Sequence, residues 1–436
     1  MRIHFIGIGG IGVSALAQYY FSKGHIVSGS DLVPSEITEL LRKKGVKIIT
    51  GPHSKNNLSE EADLVIYSPA VRPDNPEYKK AKESDIKLQS YPEALGDLTK
   101  EYFTIAVSGT HGKSTTTAMI ALVLIKGGVD PTVILGTKLR EFGDTNFRVG
   151  KSRVLVIEAD EHFASFLNYW PKVIVLTNIE KEHLDYYKTL NNVIRTYKKY
   201  LSHLKRDGIL VANKEDKNIN KTIKEGQYET IFYSIKQKES QKLKKVLRIP
   251  GQHNVYNALA VLAVAKILRV PNKISFKVLS QYKGSWRRFE EHNLKFKNTK
   301  LKIISDYGHH PTEVLVTLKA VREKYSKKEI WCVFQPHQHQ RTHYLFKDFM
   351  KVIRQAENEF IDKIIITDIY DVAGRETKKI NSQVNSKRLV EKIARKSVIY
   401  VPTKKLEEFL KKKIKNIEVL IIMGAGDIYE LAGKFQ

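Results

Sequence analysis

Gly109-Thr110-His111-Gly112-Lys113-Ser114 holds the residue types that bind a nucleoside triphosphate. Glycines let backbone N–H groups converge on phosphate, a lysine reaches the β- and γ-phosphates, and a hydroxyl holds Mg²⁺. Tyr102 to Val107, upstream, has strand composition, and Thr115 to Ile125, downstream, is a helix-compatible apolar run. The spacing departs from G-x-x-x-x-G-K-[ST], because Val107 occupies the first glycine position and the additional glycine is Gly109. The flanking strand and helix favour a variant phosphate turn over a plain turn with a solvated lysine.

A second glycine turn, Gly7-Ile8-Gly9-Gly10-Ile11-Gly12, matches G-x-G-x-x-G after a strand, and Asp31 follows a second strand at the distance of a ribose-binding acid. Such a turn accepts NAD, but equally any pyrophosphate at a helix N-terminus, including that of a nucleotide sugar. Glu158-Ala159-Asp160-Glu161 ends one apolar strand, and Thr177-Asn178-Ile179-Glu180 with His183 and Asp185 ends the next. Carboxylates at the C-terminal edge of a parallel sheet suit a hard cation, so this set could ring a Mg²⁺ that bridges ATP phosphates, with His183 the less usual ligand.

Four further groups carry polar chemistry. Gly251 to Asn257 opens a helix with amides and an imidazole, where a surface N-cap is the plainer reading. Arg287 and Arg288 offer two guanidiniums for phosphate at a domain junction. Asp306-Tyr307-Gly308-His309-His310-Pro311-Thr312 ends a strand. Its adjacent histidines point apart and lack a partner for zinc, which leaves hydrogen bonding to substrate or nucleotide. Gln335 to Arg341 follows the next strand on the same edge.

The elements that position these groups alternate. The expected strands are Ile3 to Ile8, His25 to Ser28, Lys47 to Ile49 and Asp63 to Tyr67, with helices Gly12 to Lys23 and Ser35 to Lys44 between the first three. A second α/β unit runs from Tyr102 through strands Val154 to Ile157 and Val173 to Leu176 and helices Leu190 to Leu204 and His253 to Leu268. A third begins near Glu291, with strands Lys302 to Ser305, Ile330 to Phe334, Lys363 to Thr367 and Val419 to Ile422. At 436 residues about three domains are expected. They are 1–98, a Rossmann-like parallel sheet; 99–290, a P-loop-type ATPase sheet; and 291–436, a Rossmann-like α/β domain.

The formal net charge of +27 invites an anionic partner. The lysines are scattered in short runs such as Lys411-Lys412-Lys413, without an aromatic-spaced stripe, so nucleic acid is not expected. No apolar run has the roughly 18 residues of a membrane helix, and Gly7, Gly9, Gly10 and Gly12 interrupt what would imitate a signal peptide. The single cysteine, Cys332, fits a reducing cytoplasm.

In this order, the Gly7–Gly12 turn, Gly109–Thr115, Glu158–Glu161, Thr177–Asp185, Gly251–Asn257, Arg287–Glu290, Asp306–Thr312, Gln335–Arg341 and Gly424-Ala425-Gly426-Asp427-Ile428 resemble the Mur ligase family over nearly the whole chain. That family also lacks the first Walker glycine. The resemblance implies an amide ligase of cell-wall synthesis that uses ATP to turn the carboxylate of UDP-N-acetylmuramate into an acyl phosphate, with L-alanine as the attacking amine. It implies ATP at Gly109, Thr110, His111, Gly112, Lys113, Ser114, Thr115, Asn257, Arg288 and Asp306, and Mg²⁺ at Ser114, Glu158 and His183. The UDP-sugar falls to Gly9, Gly10, Ile11, Gly12, Asp31, Ser68 and Ala70, and the amino acid to Tyr307, His309 and Arg341. Catalysis falls to Lys113, His183, Arg288 and His309. ATP shared between domains implies a hinge near Phe289, in a monomer or homodimer.

Three positions depart from the family pattern. Gln338 stands where an arginine usually partners Arg341, His339 where a tyrosine-like residue stands, and the acidic motif runs Glu161-His162-Phe163 where a Ser-Asp or Tyr-Asp pair is common. Lys198 lies where some members carry a carbamylated lysine, a feature the alanine-adding branch generally lacks. Three alternatives accompany this reading: a ligase joining a whole tripeptide to the same sugar nucleotide, a nicotinamide-dependent oxidoreductase, which leaves Lys113, Glu158 and His183 without a task, and a non-catalytic protein that binds phosphates and joins nothing.

Overall fold

The structure, a computed structural model, describes residues 1–204, 206–296, 299–371, 384–413, 415 and 417–435. It forms two compact units, one of residues 1–179, 194–234 and 258–278, the other of 180–193, 235–257 and 279–436. The three α/β domains expected from sequence are present as three sheets, two in the first unit and one in the second.

The first sheet contains β1 (Arg2–Ile6), β2 (Ile26–Asp31), β3 (Lys47–Thr50), β4 (Leu64–Tyr67) and β5 (Lys87–Ser90), in the order β3-β2-β1-β4-β5. Every neighbouring pair is parallel, so helices must carry the chain back across the sheet. Ile11–Ser22, Glu36–Lys43 and Pro76–Glu83 do so. Local sequence sets their starts: Ser35 and Thr38 form a reciprocal capping box, and the Asn75 side chain accepts from the Glu77 and Tyr78 N–H groups ahead of Pro76. The chain leaves β1 toward β2 on one side and β4 on the other, which opens a crevice at the C-terminal end of β1. Gly7 turns there with φ +77.

Beneath that turn lies Glu77, wholly buried. Its carboxylate meets His4 Nε2 at 3.0 Å and His53 Nδ1 at 2.8 Å, and accepts from Ser30 Oγ at 2.6 Å and Asn57 Nδ2 at 2.8 Å. The Ser30 carbonyl in turn accepts from the Gly7 and Ile8 N–H groups at 2.9 and 3.0 Å. The buried acid thus fixes the strand end on which the glycine turn hangs.

The second sheet contains β6 (Phe103–Ser108), β7 (Thr132–Leu139), β8 (Thr145–Arg148), β9 (Val154–Glu158), β10 (Val173–Leu176), β11 (Ile209–Asn213) and β12 (Glu229–Tyr233), in the order β12-β11-β10-β6-β9-β7-β8. Only β8 runs antiparallel, paired with β7. Central β6 again lies at a reversal of strand order, with the Gly109 turn at its C-terminal end. Helix Lys113–Lys126 follows, buried along almost its whole length. A polar seam joins helix Ile11–Ser22 to β8: Gln18 donates to Asn146 Oδ1 at 3.0 Å, Thr145 Oγ1 donates to Gln18 at 3.0 Å, and Asn146 donates to Ser14 Oγ at 3.0 Å.

The second unit's sheet contains β13 (Glu290–Phe296), β14 (Thr299–Asp306), β15 (Ile330–Phe334), β16 (Lys363–Ile366), β17 (Val398–Tyr400) and β18 (Val419–Met423), in the order β13-β14-β18-β15-β16-β17. β13 and β14 form an antiparallel hairpin, and the other pairs are parallel. β15 and β18 are buried at every residue, as expected of parallel strands covered on both faces. Cys332 is among them, with no solvent access. The Lys411 and Lys412 ammonium groups face Glu407 and Glu408 one turn earlier, a solvated helix face rather than a basic groove.

Burial alone would raise the Glu77 carboxyl, but hydrogen bonds from His4, Ser30, Asn57 and His53 outweigh it and lower its pKa from 4.5 to about 2. A carboxyl depressed in the folded state stabilises above its unfolded value, here about pH 4.5, and that stabilisation fades as pH falls toward 2. The shift corresponds to on the order of 3 kcal/mol. Glu77→Gln is therefore expected to lower the melting temperature at pH 7, with a gap from wild type that narrows between pH 4.5 and pH 2. A gap independent of pH would count against this network.

Candidate functional site

The Gly109–Ser114 turn is held in shape by its own lysine. Lys113 Nζ donates to Gly109 O at 2.8 Å, to Thr110 O at 3.3 Å and to Glu161 Oε2 at 2.8 Å, with Asp160 Oδ1 at 3.7 Å. Burial would depress this ammonium, yet the Glu161 and Asp160 carboxylates outweigh it and hold its pKa above the usual lysine range. The end of β10 braces the other side. Asn178 O accepts from the Thr110 N–H at 2.9 Å, Asn178 Oδ1 from the His111 N–H at 2.9 Å, and Thr177 Oγ1 donates to His111 O at 2.7 Å. Those two N–H groups, expected to face phosphate, instead hold the turn, and the donors left for an anion are at the start of helix Lys113–Lys126. Gly109, at φ +134, fits so closely that a Cβ there would overlap Thr177 Oγ1.

Ser114 Oγ donates to Glu158 Oε2 at 3.0 Å, and the Gly136 N–H donates to Glu158 Oε1 at 2.7 Å. Ser114 and Glu158, both expected to hold Mg²⁺, are thus neighbours. Gly136 carries no motif of its own, and its missing side chain lets the Glu158 carboxylate approach. Tyr91 is a second omission. Its ring occupies the space a Gly12 side chain would take, and burial, aided by the Glu158 and Asp160 charges, raises its hydroxyl pKa. The departure at 162–163 coincides with strain: Phe163 and Ala164 are consecutive left-handed residues at φ +52 and +55, a conformation costly for an aromatic.

In the N-terminal turn, the Gly9 N–H donates to Asp31 Oδ2 at 2.8 Å, so Asp31 also shapes the loop. Ser68 packs against Gly7 and receives the Ala70 N–H at 3.3 Å. Gly9, Gly10, Ile11, Gly12, Asp31, Ser68 and Ala70 therefore cluster at one crevice.

The second unit gathers His183, Arg288, Asp306, Tyr307, His309 and Arg341. Arg341 Nε donates to Glu182 Oε1 at 2.9 Å, and its NH1 donates to His337 O at 3.1 Å. Glu182 is buried, and although burial would raise its carboxyl, Arg341 and the neighbouring histidines hold it well below the carboxylate range. His309 moves the other way: burial and Arg341 lower its pKa to about 4 against Glu313, so it is neutral at pH 7. Its Nδ1 lies 3.0 Å from Tyr307 O, which fixes the proton there and leaves Nε2 as an acceptor. Asp306 accepts from the Phe289 and Gly308 N–H groups at 2.9 Å each, and its pKa is raised by burial. Arg288 sits 4.7 Å from the Tyr307 ring and 3.9 Å from Glu313.

Two sequence expectations change here. Arg287, read with Arg288 as a phosphate ligand, is buried and donates to Gly424 O at 2.5 Å and Gly426 O at 2.8 Å. It ties the junction to the last strand, and Arg288 alone remains for anions. Asn254 and Asn257 are buried, with Asn257 donating to Asn254 Oδ1 at 3.3 Å, so the surface-cap reading of Gly251–Asn257 fails.

Glycine turns at the reversal points of two parallel sheets, one carrying an ion-paired lysine, define a nucleotide-binding α/β class. Three family models match in order: Mur ligase family, catalytic domain, over residues 2–103; Mur ligase middle domain over 107–265; and Mur ligase, glutamate ligase domain, over 287–426. The UDP-N-acetylmuramate–L-alanine ligase of Clostridium botulinum strain Hall is 39% identical over 453 residues, spanning 99% of this chain and 96% of the relative. The enzyme of that name from Acetivibrio thermocellus is 38% identical over 462 residues, 100% of this chain and 95% of the relative. Among solved structures, UDP-N-acetylmuramate-alanine ligase MurC of Thermotoga maritima superposes with a TM-score of 0.79 at 30% identity, covering 100% of this chain and 98% of that one. A murein peptide ligase of Psychrobacter arcticus, at 21% identity and TM-score 0.72, shares the fold. The chain belongs to the Mur ligase family.

Gly109→Ala places a methyl group against Thr177 at a φ that disfavours any Cβ. Titration with a non-hydrolysable ATP analogue is expected to show affinity reduced by at least about tenfold, the equivalent of roughly 1.4 kcal/mol. Unchanged affinity would show that the turn does not bind the nucleotide.

Proposed function

We propose that this chain joins L-alanine to the carboxylate of UDP-N-acetylmuramate at the cost of one ATP, a step of peptidoglycan synthesis in the cytoplasm. The observation that carries this reading is the likeness, over 99% of the chain at 39% identity, to a relative bearing that name. The arrangement of residues supports it. In this reading 1–98 holds the UDP-sugar through Gly9, Gly10, Ile11, Gly12, Asp31, Ser68 and Ala70. Domain 99–290 holds the triphosphate at Gly109–Thr115, with Asn257 toward adenine. Domain 291–436 brings Asp306 to the ribose and Tyr307, His309 and Arg341 to the amino acid. The protein acts as a monomer or homodimer.

Mg²⁺ fits Ser114 and Glu158, which present hard oxygens 3.0 Å apart, and the family resemblance adds His183 as a ligand. Bound there, it neutralises phosphate charge. The chain's own cations do the gathering. A carboxylate oxygen of the sugar must attack the γ-phosphorus as ADP leaves, and both partners are anions. Lys113, already protonated, is the cation proposed to meet the phosphate, and the family resemblance adds Arg288. The ammonium first loses a proton to water, its nitrogen then attacks the acyl carbon, and phosphate departs from the tetrahedral intermediate carrying the second proton lost from nitrogen. Neutral His309 offers Nε2 to hold an N–H of that amine during the attack.

Phosphate release is the test, with ATP and UDP-N-acetylmuramate supplied together with L-alanine, glycine, L-serine or the tripeptide in separate reactions. Release is expected to be fastest with L-alanine, and release with the tripeptide alone would overturn the assignment. Lys113→Ala is expected to cut release by about 10²–10³-fold while UDP-sugar affinity stays unchanged. Loss of both together would contradict separate phosphate sites.

A further inference from the structure

Gln338 removes one of the two arginines expected for the amino-acid carboxylate, and the remaining one, Arg341, is not a free cation. Its Nε is held by Glu182 at 2.9 Å, and both side chains are 8% exposed. Glu182 uses only one oxygen for this. Oε1 takes Arg341 and the His183 N–H at 3.2 Å. Oε2 is buried and accepts no hydrogen bond among the described residues. The nearest ring nitrogen, His310 Nε2, lies 3.7 Å away and is committed to Lys181 O at 3.0 Å. On the other side of the pair, Arg341 directs NH1 to His337, and its NH2 makes no hydrogen bond among the described residues.

An ionised carboxylate oxygen shut away from water without a donor is costly unless a ligand supplies one. A joined acid and guanidinium, each with one unused edge, carry no net charge between them, as a zwitterionic amino acid carries none. Two arginines would instead attract any small carboxylate. We infer that Glu182 is a specificity-determining residue, whose Oε2 receives the ammonium group of the incoming amino acid while Arg341 takes its carboxylate. This rests on the ligase reading above. Bound this way, the amino acid is recognised at both ends, and a carboxylate without an amine meets the Glu182 charge instead of a partner.

The test separates recognition from mere support of Arg341. Glu182→Gln keeps a carbonyl oxygen for Arg341 Nε but loses the charge that attracts an ammonium. It is expected to raise KM for L-alanine about tenfold, the scale of one hydrogen bond to a charged group, with KM for ATP and for the sugar nucleotide unchanged. Propionate, which has the carboxylate and lacks the amine, is expected to compete with L-alanine as well in the variant as in wild type, or better. Glu182→Asp, measured in parallel, keeps the charge and is expected to retain the preference for L-alanine over propionate if the glutamine variant does not fold. An unchanged KM for L-alanine, or alanine and propionate weakening together, would overturn the inference. A wild-type protein that releases no phosphate with L-alanine would overturn the ligase reading itself.

Discussion

The ion pair between Lys113 and Glu161 is the constraint on which the site is built. Helix Lys113–Lys126 must begin at the end of β6 for its N-terminal N–H groups to face the crevice. The turn between them keeps its shape because the lysine binds back to Gly109 O and Thr110 O and across to Glu161. The lysine is therefore held in one place by the protein itself, ahead of the nucleotide proposed to bind there. Glu161 is buried, so in the proposed reading an incoming phosphate competes with a strong partner and must arrive with enough charge to replace it. That favours a triphosphate over weaker anions.

The same device recurs under the first turn. Asp31 receives the Gly9 N–H directly, and Glu77 acts at one remove, through Ser30, on Gly7 and Ile8. In both places a carboxylate behind the loop, rather than the glycines alone, sets where the backbone donors point. Glycine supplies the permitted φ, and the buried acid selects one conformation among those glycine allows.

Much of this was legible in the sequence because it is local. The two glycine turns, the acids at 158–161, the motif order and most strands of the parallel core are contiguous, and β10 and β15 fall on the expected residues. The hairpin β7–β8 and the strands β5, β11, β12, β13 and β17 were not legible. Edge strands are half exposed and lack the continuous apolar run of a buried parallel strand. Gly136, Tyr91, Glu182 and the structural role of Arg287 escaped for a different reason. Each acts on a residue far along the chain, as Arg287 does on Gly424 and Gly426, and only the register of the sheets determines that meeting. The Gln338 departure was visible in the sequence, but its meaning required the Glu182 partner of Arg341.

The proposed ligase reaction is a covalent route, in which the sugar carboxylate is phosphorylated before the amine attacks and Lys113 is the cation proposed to meet the triphosphate. The most direct measurement follows the oxygen. UDP-N-acetylmuramate labelled with ¹⁸O in both carboxylate oxygens, turned over with ATP and L-alanine, should release phosphate carrying one ¹⁸O, because the oxygen that attacks phosphorus leaves with it. Released phosphate without label, alongside amide product, would contradict activation of the carboxylate and the account built on Lys113.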